Sequence, residues 1–293
     1  MKCPTYPLWE QVALPRVVSK IRPDLLHCTS NTAPIHCPVP LVLTLHDIIF
    51  LEPRQGGNRS WYQNMGWYYR RMVVPRILSQ CEKIITVSHF ECNRIREALQ
   101  LPKDKITAIY NGYSEHFRPL SETLSITRKY IDDDDYIFFL GNTDPKKNVA
   151  RTLKAYSLYL KQSDKKRPLL IADLSKDKLD AILREQQIEE IKPYLSYPGY
   201  IPNKDLAYLY NGAFVFLYTS LRESFGIPML EAMACGTPVI TGNTSAMPEI
   251  AGEGGILVNS LNAKEIAEKI LYLEQDQIFY QNQIKYGLNR VQK

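Results

Sequence analysis

The sequence predicts an α/β protein whose parallel sheets are covered by helices on both faces, arranged in two halves. Three observations predict it. Short apolar runs recur along the chain. Segments of helical spacing separate them, which calls for crossover connections and hence parallel pairing. The 293 residues are 45% apolar and 23% charged, ordinary for a globular protein, and suit about two domains with cores of their own.

In the first half, "PLVLTLHDIIF" (40–50) reads as a strand and its loop, and "EKIITVS" (82–88) as a second strand. Residues His89 to Gln100 have helical character. "DKITAIYNG" (104–112) reads as a third strand, closed by Asn-Gly, a turn signal. "YSEHFRPL" follows as a linker, so the expected domains are 1–117 and 118–293. In the second half, Tyr136 to Leu140 is a short buried strand ending at Gly141, and "NVARTLKAYSLYLKQ" has helical spacing. "RPLLIAD" is a strand, "NKDLAYLYNGA" a helix, "FVFLYTS" a strand. "TPVIT" and "GGILVN" are two more strands, and "NAKEIAEKILYLEQD" is an amphipathic helix.

Composition narrows the function. No apolar run approaches the ~18 residues of a membrane span, and "MKCPTYPLWEQ" lacks a secretory h-region. A cytoplasmic protein is expected. The six cysteines form no C-x-x-C pair and read as reduced, buried thiols. Net charge is +6 over residues 1–118 and −1 over 119–293. The basic half could face an anionic membrane or substrate. With no Lys/Arg-rich run or recognised motif, nucleic acid is not an expected partner.

The most informative stretch is "RESFGIPMLEAMACGTPVITGN", Arg222 to Asn243. It follows "FVFLYTS", and parallel α/β sheets take ligands outside the carboxyl ends of their strands. Pro228 suits the first helical position and Gly236 the C-terminal cap, giving a short helix, Pro228 to Cys235. Its N-terminus offers free N–H groups and partial positive charge to a phosphate, and Gly226 lets backbone approach closely. Glu223 lies in the loop above the strand, free to touch polar hydroxyls. Glu231 lies about one turn into the helix, where a carboxylate can accept from a ribose diol. The alternative is that both are helix-end glutamates favoured by the dipole.

"SLRESFGIPMLEAMACGTPVI" resembles the Glu-x7-Glu signature of retaining glycosyltransferases of the GT-B fold, family 4. "LTLHDIIF", "TVSHF", "AIYNGYSEHFRP", "LGNTDPKKN", "YIPNKDLAYLYNGA" and "MPEIAGEGGILVN" resemble family segments in the same order. The resemblance covers most of the chain. It implies two Rossmann-like domains facing a cleft, the first on the acceptor side and the second binding nucleotide sugar. It implies transfer of a hexose with retained anomeric configuration and no cofactor or required metal. Surface polysaccharide or lipopolysaccharide assembly is the expected setting, with a mannosyl donor weakly preferred and a glycan or lipid-linked acceptor. By the same resemblance Glu231 holds the donor ribose and Glu223 lies at the donor sugar. Gly226 and Ile227 offer backbone N–H groups to the diphosphate. Lys147 offsets charge on the leaving group, Lys146 is a second candidate cation, and Gly141 marks the turn beneath them. The alternative for Lys146 and Lys147 is a solvated pair in a loop. His46, at the end of a strand in the first half, faces the donor sugar in the family; alone it would read as structural or solvated. Glu249 is expected to cap or orient a loop near the nucleotide.

The chain departs from the family pattern in places. Asn142 stands where many members carry a phosphate-binding arginine, and Ser224 replaces the commoner glycine. Leu8-Trp9-Glu10-Gln11 comes almost at once, whereas family members begin with further βα units, so the first domain is expected to be incomplete, as is the C-terminal end. An exposed sheet edge and self-association are expected with it. "IDDDDY" is rejected as a metal site: its acids precede a strand, opposite the ligand crevice, and read as a solvated turn. "RSWYQNMGWYYRRMVVPRIL" (59–78) reads as a domain helix with one buried aromatic stripe, with peripheral membrane contact as the alternative. The rival function is an inactive remnant that binds sugar nucleotide or a partner protein.

Overall fold

The computed structural model describes residues 3–52, 61–142 and 144–293, with backbone alone for 61–63. Met1, Lys2, Arg59, Ser60 and Thr143 of the stretches quoted above lie outside the described residues. The chain divides into two compact units, Met1–Asn111 and Gly112–Lys293.

The first unit opens with a helical run: α1 (Tyr6–Leu8), a π-helical turn at Trp9–Ala13 and α2 (Leu14–Ile21). Then come β1 (Leu26–Cys28), β2 (Leu41–Thr44), α3 (Trp61–Ile77), β3 (Cys81–Thr86), α4 (His89–Leu99) and β4 (Ile106–Ala108). The strands pair in parallel in the order β1-β2-β3-β4. Leu41, Leu43, Leu45 and Ile84 enter a core with Val73, Val74 and Ile77 of α3 and Ile95 of α4. Ser88 caps α4 by accepting from the Glu91 N–H (3.1 Å), as a serine ahead of an apolar helix should.

Two readings of this unit are corrected. The third strand expected over 104–112 pairs only at Ile106–Ala108, because β4 is an edge strand and the chain leaves it with Ile109 exposed. Among the described side chains of helix α3 the buried ones are aliphatic, Val73, Val74 and Ile77, whereas Trp67 and Tyr69 are partly buried and Tyr68 is 63% exposed, so the aromatic stripe expected there is not a fully buried one.

The second unit runs α5 (Leu124–Thr127), β5 (Tyr136–Leu140), α6 (Val149–Leu160), β6 (Leu169–Ala172), α7 (Lys176–Gln186) and β7 (Leu195–Gly199). It continues with α8 (Asn203–Gly212), β8 (Ala213–Tyr218), α9 (Ile227–Ala234), β9 (Val239–Gly242), α10 (Met247–Ala251) and β10 (Gly255–Val258). Two helices, α11 (Ala263–Gln275) and α12 (Gln277–Arg290), complete it. Every residue of β8 is buried, as a strand covered on both faces requires. The sheet order is β10-β9-β8-β5-β6-β7, all parallel. The chain builds outward from β5 to β7, then crosses back to place β8 on the other side of β5. The reversal makes a topological switch point between β5 and β8, and a crevice opens at their carboxyl ends.

Residues past Gly112 pack on this second unit. Phe117 is buried beside the Tyr210 ring (5.9 Å), and the Leu120 N–H donates to Asn211 Oδ1 (2.8 Å). The acidic turn before β5 is more than solvated. Asp135 pairs with the buried Arg167 (2.6 Å), whose guanidinium lies over the Phe214 ring (3.7 Å), and Asp134 pairs with Arg128 (2.8 Å). These pairs tie the amino end of the sheet, away from the crevice. All six cysteines are free thiols; Cys81 and Cys235 are buried and the other four partly so.

Candidate active site

Two loops flank the switch point, one after β5 and one after β8. The first leaves the sheet at Gly141, whose N–H donates to the Ala172 carbonyl (3.0 Å). A Cβ here would lie 3.0 Å from Ile171 Cγ2 and 3.2 Å from Phe139 Cε1, so glycine fits the closeness of the neighbouring strand. Asn142 shapes the turn: its Oδ1 accepts the Asp144 N–H (2.9 Å). Asp144 Oδ1 in turn accepts from the Lys146 N–H (3.1 Å), starting a short 3-10 turn over Pro145–Lys147. Lys146 and Lys147 therefore project from a built turn rather than a slack loop.

Asn148 closes that turn in the left-handed conformation, φ 59°. Its buried amide donates to the Thr219 carbonyl (3.1 Å) and the Ser260 carbonyl (2.7 Å). One side chain so joins the loop after β5 to those after β8 and β10. The Leu221 N–H donates to the Lys146 carbonyl (2.8 Å), a second link between the two loops. The sequence reading passed over Asn148. Its signal was present: asparagine tolerates the left-handed region and stands directly before an apolar helical pattern.

The second loop carries Glu223. It is not free, as the sequence suggested. Lys147 Nζ donates to its Oε1 (2.8 Å), Lys146 Nζ lies 3.9 Å from its Oε2, and the Glu223 side chain is only 10% exposed. A carboxylate removed this far from water needs such partners. Its backbone is clamped as well: the N–H donates to Ser245 Oγ (3.0 Å) and the carbonyl accepts from the Ala246 N–H (3.3 Å). Beneath lies Tyr218, another residue the sequence reading did not single out. Its ring faces Lys147 Nζ at 4.9 Å, and its hydroxyl bonds Glu223. Burial first, then the Glu223 charge, push the Tyr218 pKa far up, so it stays a neutral donor.

Gly226 (φ 104°) turns the chain into α9, in backbone that only glycine adopts readily. The helix starts at Ile227, so Pro228 occupies the second helical position, not the first; Gly226 takes the cap. In the first turn the Met229 N–H donates to the Gly226 carbonyl (3.0 Å) and Pro228 has no N–H, which leaves the Gly226 and Ile227 N–H groups as those a helix start offers to a ligand. Gly236 ends the helix at φ 81°. One turn in, Glu231 is partly buried, and the Tyr210 hydroxyl is its neighbour at 3.4 Å. Burial raises the Glu231 pKa to about 7, with the Tyr210 contact pulling the other way. Glu249 sits in the first turn of α10, and its carbonyl and that of Ile250 accept from Arg290 (3.0 and 2.7 Å). Arg290 of α12 thus caps the helix whose leading residues hold the Glu223 backbone.

The structure brings Glu223, Lys146, Lys147, Gly141, Gly226, Ile227 and Glu231 to one end of one sheet. His46 belongs to the first unit, directly after β2. Its N–H donates to Asn31 Oδ1 (2.6 Å) and its Nε2 contacts the Thr29 carbonyl (2.9 Å). Among the described residues no group of His, Cys, Asp or Glu is arranged to hold a metal ion.

Two parallel α/β units, the second with paired Lys and Glu at its switch point, define a protein of the GT-B glycosyltransferase class. Residues 124–290 match the family described as Glycosyl transferases group 1, and residues 2–116 match Glycosyltransferase Family 4. The chain belongs to the glycosyl transferases group 1 family. It is similar to the Escherichia coli O-antigen chain mannosyltransferase B, 30% identical over 80% of this chain and 61% of that one. It is 26% identical to the Escherichia coli serotype-specific mannosyltransferase WbdA over 92% of this chain and 35% of the relative. The chain therefore spans about three-fifths of the first relative and a third of the second. A solved structure of Anabaena Alr3699/HepE in complex with UDP superposes with TM-score 0.73 at 18% identity, covering 94% of this chain and 76% of that one.

Proposed function

We propose that the chain is a retaining hexosyltransferase of surface polysaccharide or lipopolysaccharide assembly, using a nucleotide sugar and a glycan or lipid-linked acceptor. The observation that carries the reading is the Glu223–Lys147 pair over the switch point, with Glu231 partly buried one turn into the adjoining helix. The mannosyltransferase relatives favour a mannosyl donor, and the UDP-bound neighbour supports a nucleotide-activated sugar as the donor.

In this reading the donor diphosphate lies at the α9 N-terminus, against the N–H groups of Gly226 and Ile227. Lys147, assisted by Lys146, gains an anionic partner in the diphosphate and stabilises the charge that develops on it as the glycosidic bond breaks. That is the work a metal ion would otherwise do, and no metal is invoked. Glu223, released in part from Lys147, turns to the sugar hydroxyls. Glu231 accepts from the ribose diol, and His46 takes the donor-sugar role that the family resemblance assigns to it. The exposed Met65, Tyr68 and Met72 of α3, beside Arg71 and Arg76, support peripheral contact with an anionic membrane.

The test measures transfer by the full chain from nucleotide-activated mannose and glucose, with calorimetry of donor binding in parallel. Glu223→Gln is expected to lower turnover roughly a hundredfold, as loss of a transition-state contact does, with little change in donor affinity. Equal losses in both would refute the role given to Glu223. Donor binding without any transfer would instead make the chain a sugar-nucleotide-binding remnant.

A further inference from the structure

The first unit holds a buried polar cluster that the reading above does not use. Glu10, in the π-helical turn, is 1% exposed. Its Oε1 accepts from the Tyr6 hydroxyl (2.7 Å) and the Thr32 hydroxyl (2.7 Å), and its Oε2 from the Tyr69 hydroxyl (2.5 Å) and Gln11 Nε2 (3.1 Å). Gln11, its chain neighbour, reaches the same place: its Nε2 donates to the Ala33 carbonyl (3.1 Å) and its Oε1 accepts the Ile35 N–H (2.8 Å). Burial, with Glu10 contributing, pushes the Tyr69 pKa up, so that hydroxyl stays protonated and donating. Widened π-turns of this kind recur at functional sites. Here adjacent residues of one turn both grip the segment from Thr32 to Ile35.

That segment continues from the one that holds His46. Asn31 is left-handed (φ 65°), donates its N–H to the Thr44 carbonyl (3.1 Å) and accepts the His46 N–H. The Thr29 carbonyl meets His46 Nε2. A carbonyl oxygen only accepts, so Nε2 carries the proton, and in the neutral ring Nδ1 is left as an acceptor.

We infer that Glu10 is a positioning residue for His46: its carboxylate anchors the turn through Thr32, and the turn's Thr29 carbonyl fixes His46 as the Nε2–H tautomer, presenting Nδ1 to a substrate hydroxyl. The functional part rests on the reading that His46 meets the donor sugar; the tautomer part does not. A hydroxyl donor suits this ring, whereas an anionic group would meet a lone pair.

Nitrogen-15 NMR of the histidine rings in the full chain, with neither donor nor acceptor present, tests the inference. The wild type should show His46 with the widely separated ring-nitrogen resonances of one tautomer, protonated at Nε2. Thr32→Val and Glu10→Gln should both move them toward the averaged positions of a mixed population. Ile95→Val, a core change in the same unit, should not, even where it costs as much stability. Should Glu10→Gln fail to fold, Thr32→Val carries the test alone. A His46 protonated at Nδ1, ring shifts unchanged in Thr32→Val, or equal shifts in Ile95→Val would overturn it. In transfer assays Thr32→Val should lower kcat by about ten- to a hundredfold, the scale of a small misplacement, with donor KM nearly unchanged. A moved tautomer with unchanged kcat would sink the role of His46 in transfer and leave the positioning intact.

Discussion

Nucleoside diphosphate binding should weaken on acidification, and Glu231 should be the reason. Its carboxyl titrates at about 7 in the free protein because burial disfavours the charge. In the proposed ribose role the ionised form would accept from both ribose hydroxyls, while the protonated form has lost acceptor capacity. Apparent affinity then scales with the ionised fraction. That fraction is roughly nine-tenths near pH 8 and about one-thirtieth near pH 5.5, so affinity should fall about thirtyfold, or ~2 kcal/mol. Phosphate groups also titrate in this range, so the comparison is the wild type against Glu231→Gln by calorimetry across pH. The variant should bind more weakly near pH 8 and show only the shallow slope of the phosphate. A diphosphate lacking the 2′ and 3′ hydroxyls should give the wild type the same shallow slope. If Glu231→Gln keeps the full wild-type slope, the carboxyl is not the titrating group and the ribose role fails.

The same shift has a stability consequence with a definite sign. The folded pKa lies above the ordinary carboxyl value, so the folded state holds the proton more tightly and stability falls as pH rises from about 4.5 to about 7. The unliganded Glu231→Gln variant should be more stable than the wild type by up to ~3 kcal/mol near pH 8, the gain vanishing near pH 4.5 in urea unfolding; a constant difference across that window would refute it. Lys147→Met should weaken diphosphate binding by ~2 kcal/mol, the scale of a charge-assisted hydrogen bond, and calorimetry showing unchanged affinity would remove the lysine from the phosphate site. Gly226→Ala places a Cβ 2.6 Å from Met229 Cε at φ 104°; thermal unfolding should show a loss of about 1–3 kcal/mol, with diphosphate affinity falling too, and a neutral outcome would mean the turn adapts.

The sequence alone determined the class of fold and most of the residues that meet at the candidate site. Strands such as "FVFLYTS" are uniformly apolar because both faces are covered, and that pattern needs no partner to be legible. The helix after Gly226 was legible to within a residue because glycine, proline and a second glycine act through local backbone geometry. Elements that pair briefly were read less well: β1, three residues long, was missed, and β4 was read over 104–112 although it pairs only at Ile106–Ala108. Tertiary structure alone decided which charges meet. Glu223 and Lys147 stand 76 positions apart, and only the crossing of the chain from β7 back to β8 sets their loops side by side. Asn148, Tyr218 and Glu10 gain their roles the same way, from carbonyls, cations and hydroxyls that arrive from other elements. Local sequence encodes backbone preference and periodicity, whereas the partner of a buried polar group is a property of the assembled sheet.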